Sequence, residues 1–208
     1  MAGIKMGRAS GRPMETDSFA GSYQLRDLTI FSFSYPQGGF YDVRRMANAE
    51  TKRLLITDLI SAATIELHLR GRQRDDVLAE LVALIPEIAD RPEARQTLLR
   101  ALQEREHLHS TGIGDGVALP HARNALVGLV EKPVVVFGRH EAGIAYGAID
   151  AQPAKLFFLL VTTTVAQHLG ILARISRLVR DPKLRQNLTT ADKAEKVLAL
   201  IQEAEAKM

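Results

Sequence analysis

Two continuous apolar runs constrain the fold of this chain more than any other feature. Residues 133–137 read Pro-Val-Val-Val-Phe and residues 155–161 read Lys-Leu-Phe-Phe-Leu-Leu-Val, and each run has the length of one strand. Because neither run alternates with polar residues, each predicts a strand that is covered on both faces, as in sheets packed between helices. The two runs therefore predict an α/β fold with helices on both sides of a single sheet.

Helical periodicity surrounds these predicted strands. Four segments carry it, namely residues 77–85, 92–105, 165–179 and 191–204. The second helix is predicted to begin with a capping box at Asp90–Glu93, with Pro92 in its first turn. The last helix is predicted to have Thr190 as its N-cap. Residues 64–69 instead alternate apolar with polar side chains, which predicts a half-buried strand.

A glycine-rich stretch, Ser110–Arg123, lies between the second helix and the first apolar run and reads STGIGDGVALPHAR. Its alternate glycines allow positive φ and a close approach of the backbone to a ligand or a partner. Pro120 fixes φ and has no N–H, so the chain is predicted to leave the ladder there. His121 is thereby predicted to stand at the end of a strand, where a side chain can do chemistry.

Three structures are compatible with a stretch so rich in glycine. A dinucleotide-binding turn would need a strand before the glycines and a helix after them, whereas here a strand-like segment and a proline follow. A phosphate-binding loop would need a closing Gly-Lys-Ser/Thr, which the stretch lacks. A tight hairpin with an incidental histidine is the remaining alternative.

Composition excludes several functional classes. The chain has no cysteine, so a disulfide framework and a thiolate metal site are both excluded. Its net charge of +3 is too balanced for a nucleic-acid-binding face. No apolar run approaches the ~20 residues of a membrane span. Residues 1–19 also lack the apolar segment of a signal peptide, so we expect a cytoplasmic protein without membrane insertion.

The composition changes near Met46, because seven of the eleven aromatic residues lie within residues 1–41. We predict that residues 1–52 form an N-terminal extension and that residues 53–208 form one domain. The extension is either disordered or loosely attached, or it lies upstream of a true start at Met46. A docking segment built from its aromatic residues is the alternative.

The whole stretch Ser110–Arg123 resembles the active-site motif of the fructose/mannitol-type (type 2) enzyme IIA domains of the bacterial phosphoenolpyruvate-dependent sugar phosphotransferase system. It resembles in particular the nitrogen-regulatory enzyme IIA. Arg105-Glu106, residues 144–153 and Gln167-His168-Leu169 agree with the same family in the same order. The resemblance extends from Leu54 to Ile201 and implies a mixed β-sheet sandwiched between helices.

The resemblance also implies a site. His121 matches the histidine that carries the phosphoryl group, and imidazole is nucleophilic near neutral pH. Arg105 matches an arginine whose guanidinium can bind phosphate oxygens, and His168 matches a second histidine, here predicted in the first turn of a helix. Backbone groups of the glycine loop are predicted to complete a phosphoryl cradle formed by Thr111, Gly112, Gly114 and Gly116. The family needs no metal and no cofactor for this transfer.

The function implied is that of a phosphohistidine phosphocarrier, an enzyme that transfers phosphoryl groups between proteins. Its donor would be the histidine-containing phosphocarrier protein, and its acceptor an enzyme IIB or a regulatory target protein. The nitrogen-regulatory role is favoured over a sugar-specific transporter component, because nothing in the sequence resembles an enzyme IIB or IIC domain. A pure regulatory interaction module is a further alternative. A metal hydrolase that uses His107 and His109 is disfavoured, because no third ligand is evident.

Overall fold

The computed structural model describes residues 54–123 and 128–208, so the predicted extension at residues 1–52 lies outside the described residues. Five strands form one sheet: β1 (Ile65–Glu66), β2 (Gly112–Gly114), β3 (Val117–Ala118), β4 (Val134–Ile144) and β5 (Ala154–Val161). Their order is β1-β4-β5-β3-β2. β4 is antiparallel to β5, whereas β3 is parallel to it. The sheet is mixed, as predicted.

Five helices pack around this sheet: α1 (Arg74–Ala83), α2 (Pro92–Leu108), α3 (Val165–Leu178), α4 (Pro182–Thr190) and α5 (Ala194–Ala206). Two separate hydrophobic cores result. One core holds buried residues of α1 and α2, and the other holds those of α3, α4 and α5. The sheet contributes side chains to both cores, so the predicted α/β sandwich is confirmed. In the described part of the chain, each helix is too short or too polar to cross a lipid bilayer.

Strand β5 shows how one apolar run serves two cores. Successive side chains of a strand point to opposite faces of its sheet. Accordingly, Leu156, Phe158 and Leu160 belong to the core of α3, α4 and α5. Phe157, Leu159 and Val161 belong to the core of α1 and α2. All six side chains are at most 3% exposed, which explains why this run does not alternate with polar residues.

Three predicted element boundaries are wrong. Asp90 does not cap α2, which begins at Pro92 with Arg91 as its N-cap and without a side-chain capping bond. Thr190 is not an N-cap but the last residue of α4, where its hydroxyl donates to the Gln186 carbonyl. That helix was not predicted, although Asp181 and Pro182 carry a start signal: the Asp181 carboxylate accepts the Lys183 N–H.

The third wrong boundary concerns the alternating segment at residues 64–69. Only Ile65 and Glu66 of this segment pair with β4. Leu67 and Leu69 are nevertheless buried and His68 is exposed, so the alternation does reflect a buried face and an exposed one. The periodicity therefore predicted burial correctly and the extent of strand pairing wrongly.

The glycine-rich stretch forms a tight hairpin, β2–β3, and not a turn between a strand and a helix. Gly114 and Gly116 have φ angles of +92° and +74° at its tip, which glycine adopts without steric cost. Gly112 has a different role, because a Cβ added there would lie 2.9 Å from the Cα and Cβ of Ala148. The predicted positive φ is confirmed at Gly114 and Gly116, whereas the close approach at Gly112 is to the chain's own Ala148 and not to a ligand or a partner.

We expect Gly112→Ala to lower the free energy of unfolding by about 2 kcal/mol, because the added methyl group would force the hairpin away from the Ala148 backbone. Chemical denaturation of the variant and the parent protein would measure this difference. A variant as stable as the parent would show that the hairpin and the Ala148 segment can separate freely.

Candidate active site

The strand register delivers His121 to one end of β5. β3 pairs with β5 through Val117–Leu156 and Ala118–Phe157, and His121 makes an isolated parallel bridge to Leu160 in the same register. Pro120 interrupts the ladder because it has no N–H, yet its carbonyl accepts the Leu160 N–H at 2.9 Å. The regular ladder of β3 ends at Ala118, before Pro120, but the chain stays beside β5 as far as His121.

The His121 ring is held in one orientation by its own backbone neighbour. Its Nδ1 lies 2.7 Å from the Leu119 carbonyl oxygen, which can only accept, so Nδ1 carries the proton. The lone pair of the neutral ring is therefore on Nε2. Burial lowers the pKa of His121 and the nearby Arg105 charge lowers it further, although the bond to Leu119 acts in the opposite direction. The ring is thus neutral and nucleophilic near pH 7.

A second imidazole, that of His168, lies beside the first. The two ring centroids are 5.2 Å apart and the ring planes are inclined by 59°. His168 lies in the first turn of α3, where Thr164 is the N-cap and accepts the Gln167 N–H. The hydroxyl of Thr162 lies 3.3 Å from His168 Nδ1. Burial, followed by the charges of His121 and Arg105, lowers the pKa of His168 to about 4.

Arg105 supplies the positive charge at this end of the sheet. It lies in the last turn of α2, and its Nη1 donates to the His109 carbonyl at 2.7 Å. Its charge lowers the pKa of both histidines. None of the ion pairs among residues 54–123 and 128–208 involves Arg105. Of the three predicted residues, the structure brings His121 and His168 into contact, and the charge of Arg105 acts on both rings.

We expect the stability of the fold to depend on pH through His168. Folding lowers the pKa of this ring from 6.5 to about 4, so between these values the unfolded chain binds more protons. The free energy of unfolding should therefore fall as the pH drops from about 6.5 towards 4, by about 2 kcal/mol from this ring after allowance for solvent screening. Denaturation curves at several pH values would measure this dependence. The free energy of unfolding should change less steeply with pH in His168→Gln than in the parent. Equal slopes would contradict this assignment.

For the predicted phosphoryl cradle in the glycine hairpin, the structure separates Gly114 and Gly116 from His121. The Gly116 carbonyl pairs with Leu156 whereas that of Pro120 pairs with Leu160, so the hairpin tip and His121 are four residues apart along β5. At ~3.3 Å per residue, this separates Gly114 and Gly116 from His121 by about 13 Å. Thr111 and Gly112 lie nearer, but their donors are engaged: Thr111 bonds to Glu106 and the Gly112 N–H to the Ser110 hydroxyl.

Anion-binding groups are available elsewhere, at the N-terminus of α3. The first N–H groups of a helix have no intrahelical acceptor and attract anions. This helix begins at Val165, and His168 lies in the same turn. The three consecutive threonines before it (residues 162–164) were a usable sequence signal, because threonine often caps a helix. No sequence signal could have identified the Leu119 carbonyl that orients His121, because every residue carries a backbone carbonyl.

The other four histidines have different surroundings. His68, His107 and His109 are exposed, and His140 accepts the Gly143 N–H within the turn of its own strand. Over the described ranges, no group of three or more histidine or acidic side chains is arranged to hold a metal ion. The groups described at this site are two imidazoles, one guanidinium and backbone groups.

Comparison with known proteins matches this geometry to a family. The profile described as "Phosphoenolpyruvate-dependent sugar phosphotransferase system, EIIA 2" matches residues 58–204. The chain is 34% identical over 148 residues to the fructose-specific EIIABC component of Bacillus subtilis, covering 70% of this chain and 23% of that protein. It is 32% identical to the nitrogen regulatory protein of Bradyrhizobium diazoefficiens, covering 70% of this chain and 94% of that one.

Among solved structures, the chain is similar to the nitrogen regulatory protein IIA-Ntr of Neisseria meningitidis. The TM-score is 0.62 and the sequence identity is 26%, and the match covers 70% of this chain and 98% of the other. The resemblance that the sequence motifs indicated is confirmed by these comparisons.

Proposed function

Because this chain belongs to the EIIA 2 family of the phosphoenolpyruvate-dependent sugar phosphotransferase system, we propose that it carries a phosphoryl group on His121. The donor is the phosphohistidine of the histidine-containing phosphocarrier protein. The observation that supports this proposal is a neutral, oriented His121 ring beside His168, with the Arg105 charge acting on the pKa of both rings. No metal takes part in the proposed step, since the positive and hydrogen-bonding groups come from the chain itself.

The transfer consists of one bond formed and one bond broken at phosphorus. The lone pair on His121 Nε2 attacks, the P–N bond of the donor breaks, and its electron pair returns to the donor imidazole. The His121 ring then carries positive charge, which the Leu119 carbonyl stabilises through the Nδ1 proton. Transfer to an acceptor reverses these steps. Phosphoryl transfer depends mainly on such positioning and on charge stabilisation.

The other groups stabilise the phosphoryl oxygens. The Arg105 guanidinium presents a planar fork that matches two of them. When the Thr162 hydroxyl donates to His168 Nδ1, the proton of that neutral ring lies on Nε2 and can be donated to a third oxygen. The low pKa of His168 keeps the ring in this neutral form at pH 7. The N-terminal N–H groups of α3 complete the arrangement.

A protein donor needs a surface beside the site, and two exposed apolar side chains provide one. Leu108 is 55% exposed and lies three residues after Arg105, near the end of α2. Val165 is 52% exposed and lies three residues before His168. Residues three apart on a helix are surface neighbours. We infer that these two side chains contact the phosphocarrier protein and an acceptor of similar kind, either an enzyme IIB or a regulatory target.

The comparisons favour two uses of the phosphoryl group. The match spans nearly the whole nitrogen regulatory protein of Bradyrhizobium diazoefficiens but under a quarter of the fructose-specific EIIABC component. We therefore propose a regulatory carrier, with a fructose-type transporter component as the second candidate. Transfer from the phosphorylated chain to a purified fructose-type enzyme IIB would favour the second. A phosphorylation-dependent complex with a regulatory target, without such transfer, would favour the first.

Incubation with phosphoenolpyruvate and the two general phosphotransferases tests the proposal. We expect one phosphoryl group per chain, labile in acid and stable in alkali, as seen by intact-mass spectrometry. Adding unphosphorylated phosphocarrier protein should remove it again, because the reaction is reversible. A chain that binds the phosphocarrier protein but never takes up phosphate would instead be a pure interaction module.

A further inference from the structure

A buried carboxylate, that of Glu106, directly follows Arg105 on α2 and is only 3% exposed. One oxygen, Oε2, accepts the Thr111 N–H at 2.9 Å. The other, Oε1, accepts the Thr111 hydroxyl and also the Tyr146 hydroxyl, the latter at 2.8 Å. The Arg74 guanidinium lies 4.0 Å away. These donors compensate the charge of Glu106, which would otherwise be costly to bury.

The hydrogen bonds of Glu106 continue, link by link, to the proposed phosphoryl acceptor. The Thr111 carbonyl accepts the Leu119 N–H at 3.0 Å. The carbonyl of the same Leu119 accepts the Nδ1 proton of His121 at 2.7 Å. The Thr111 N–H therefore faces the carboxylate, and the Thr111 carbonyl faces the N–H of Leu119, the residue whose own carbonyl orients the imidazole. The helical turn that presents Arg105 also supplies the anchor of this chain of bonds.

We propose that Glu106 is a positioning residue for phosphoryl transfer: through Thr111 and Leu119 it holds His121 with its proton on Nδ1 and its lone pair on Nε2. This inference rests on the proposed function. Glu106 does not touch the phosphoryl group and exchanges no proton with it. Misplacement of a reacting group by about 1 Å can cost on the order of a hundredfold in rate, so a loss of this anchor should be visible in the rate of transfer.

The chain offers a matched control in a second buried carboxylate, that of Glu205. It accepts the Ile56 N–H at 2.7 Å and two donors of Thr57, and it pairs with Arg174 at 2.8 Å. Glu205 is 7% exposed, so its burial and its number of partners are similar to those of Glu106. Its bonds tie the end of α5 to the turn at residues 56–58 and to α3, and none of them leads to His121.

The test compares Glu106→Gln with Glu205→Gln in the intact chain. Both variants should unfold at a lower temperature than the parent. Only Glu106→Gln should slow transfer from the phosphocarrier protein at saturation, by about ten- to a hundredfold, with the KM for that protein unchanged. ¹⁵N NMR of the unphosphorylated histidines should show a single Nδ1–H tautomer at His121 in the parent and in Glu205→Gln. Glu106→Gln should show a mixture of tautomers.

A wild-type rate and a single tautomer in Glu106→Gln would overturn the inference, and so would equal slowing by Glu205→Gln. Thr111→Val, which removes only the hydroxyl bond, serves if Glu106→Gln does not fold, and it should give a smaller loss of the same kind. A parent chain that takes up no phosphate would refute the proposed function instead. The tautomer measurement would still decide the positioning role, because it needs no phosphoryl transfer.

Discussion

Replacing His121 with alanine is expected to abolish phosphorylation of the chain by phosphoenolpyruvate and the general phosphotransferases. The variant lacks the nitrogen that is held at the end of β5 with a free lone pair, beside a second imidazole and under the influence of the Arg105 charge. The His168 ring should not replace it as the phosphoryl acceptor. Its Nδ1 faces the Thr162 hydroxyl and not a backbone carbonyl that would fix the proton on Nδ1. Intact-mass spectrometry before and after acid treatment would measure the phosphate.

His107→Ala is the matched control for this experiment. His107 lies on α2 close to Arg105 in sequence, but its side chain is exposed. This variant should take up phosphate at the parent rate. If His121→Ala still took up phosphate, or if His107→Ala did not, the phosphoryl acceptor would be a residue other than His121. Either result would contradict the site described above.

Replacing Arg105 with glutamine is expected to slow phosphoryl transfer by about a hundredfold, because the transition state would lose its main source of positive charge. Arg105→Lys should lie between this variant and the parent, since lysine keeps the charge but not the planar fork. Glutamine should also raise the pKa of His121 and of His168, because the Arg105 charge lowers both. Rapid-quench kinetics and an NMR titration of the two rings would measure these effects.

Arg100→Gln is the control for the loss of a positive charge from the same helix, because Arg100 is exposed on α2. It should leave both the rate and the two pKa values unchanged. If Arg105→Gln transferred phosphate at the parent rate, the guanidinium would serve only to cap α2 through the His109 carbonyl.

The central strands could be predicted from the sequence because strands that are buried on both faces consist of continuous runs of apolar residues. Every side chain of the β5 run from Leu156 to Val161 enters one of two cores, so no polar residue interrupts the run. The extent of β1 could not be predicted in the same way. Residues 64–69 keep the alternation of a strand, yet only Ile65 and Glu66 form ladder pairs with β4, and Leu69 adds a single backbone bond to Arg139. Alternation reports which face is buried, whereas pairing depends on the neighbouring strand.

Helix ends were harder to predict, because several residues near each boundary can serve as caps. Thr190 is of a residue type that is favoured at N-caps, but its hydroxyl donates to the Gln186 carbonyl in the preceding turn. Pro182 follows the end of one helix, but proline is also favoured at the first position of the next one, and this is where it lies in α4. Residue type alone therefore does not show whether such a residue ends one helix or begins the next.

The site was predictable in part. The resemblance indicated His121, His168 and Arg105; the fold brings the two histidines together, and the Arg105 charge acts on both. The glycine hairpin was assigned to the same site because it is adjacent in sequence. The parallel register with β5 instead carries its tip to the other end of the strand. Proximity in sequence is a poor guide to proximity in space once a strand separates the two segments.

The position of the phosphoryl group on the His121 ring tests the account most directly. ¹⁵N and ³¹P NMR of the phosphorylated chain, with labelled histidine, would identify the nitrogen that is bonded to phosphorus. The structure predicts a P–N bond at Nε2, with the Nδ1 proton retained against the Leu119 carbonyl. Phosphorus on Nδ1, or on any residue other than His121, would contradict it.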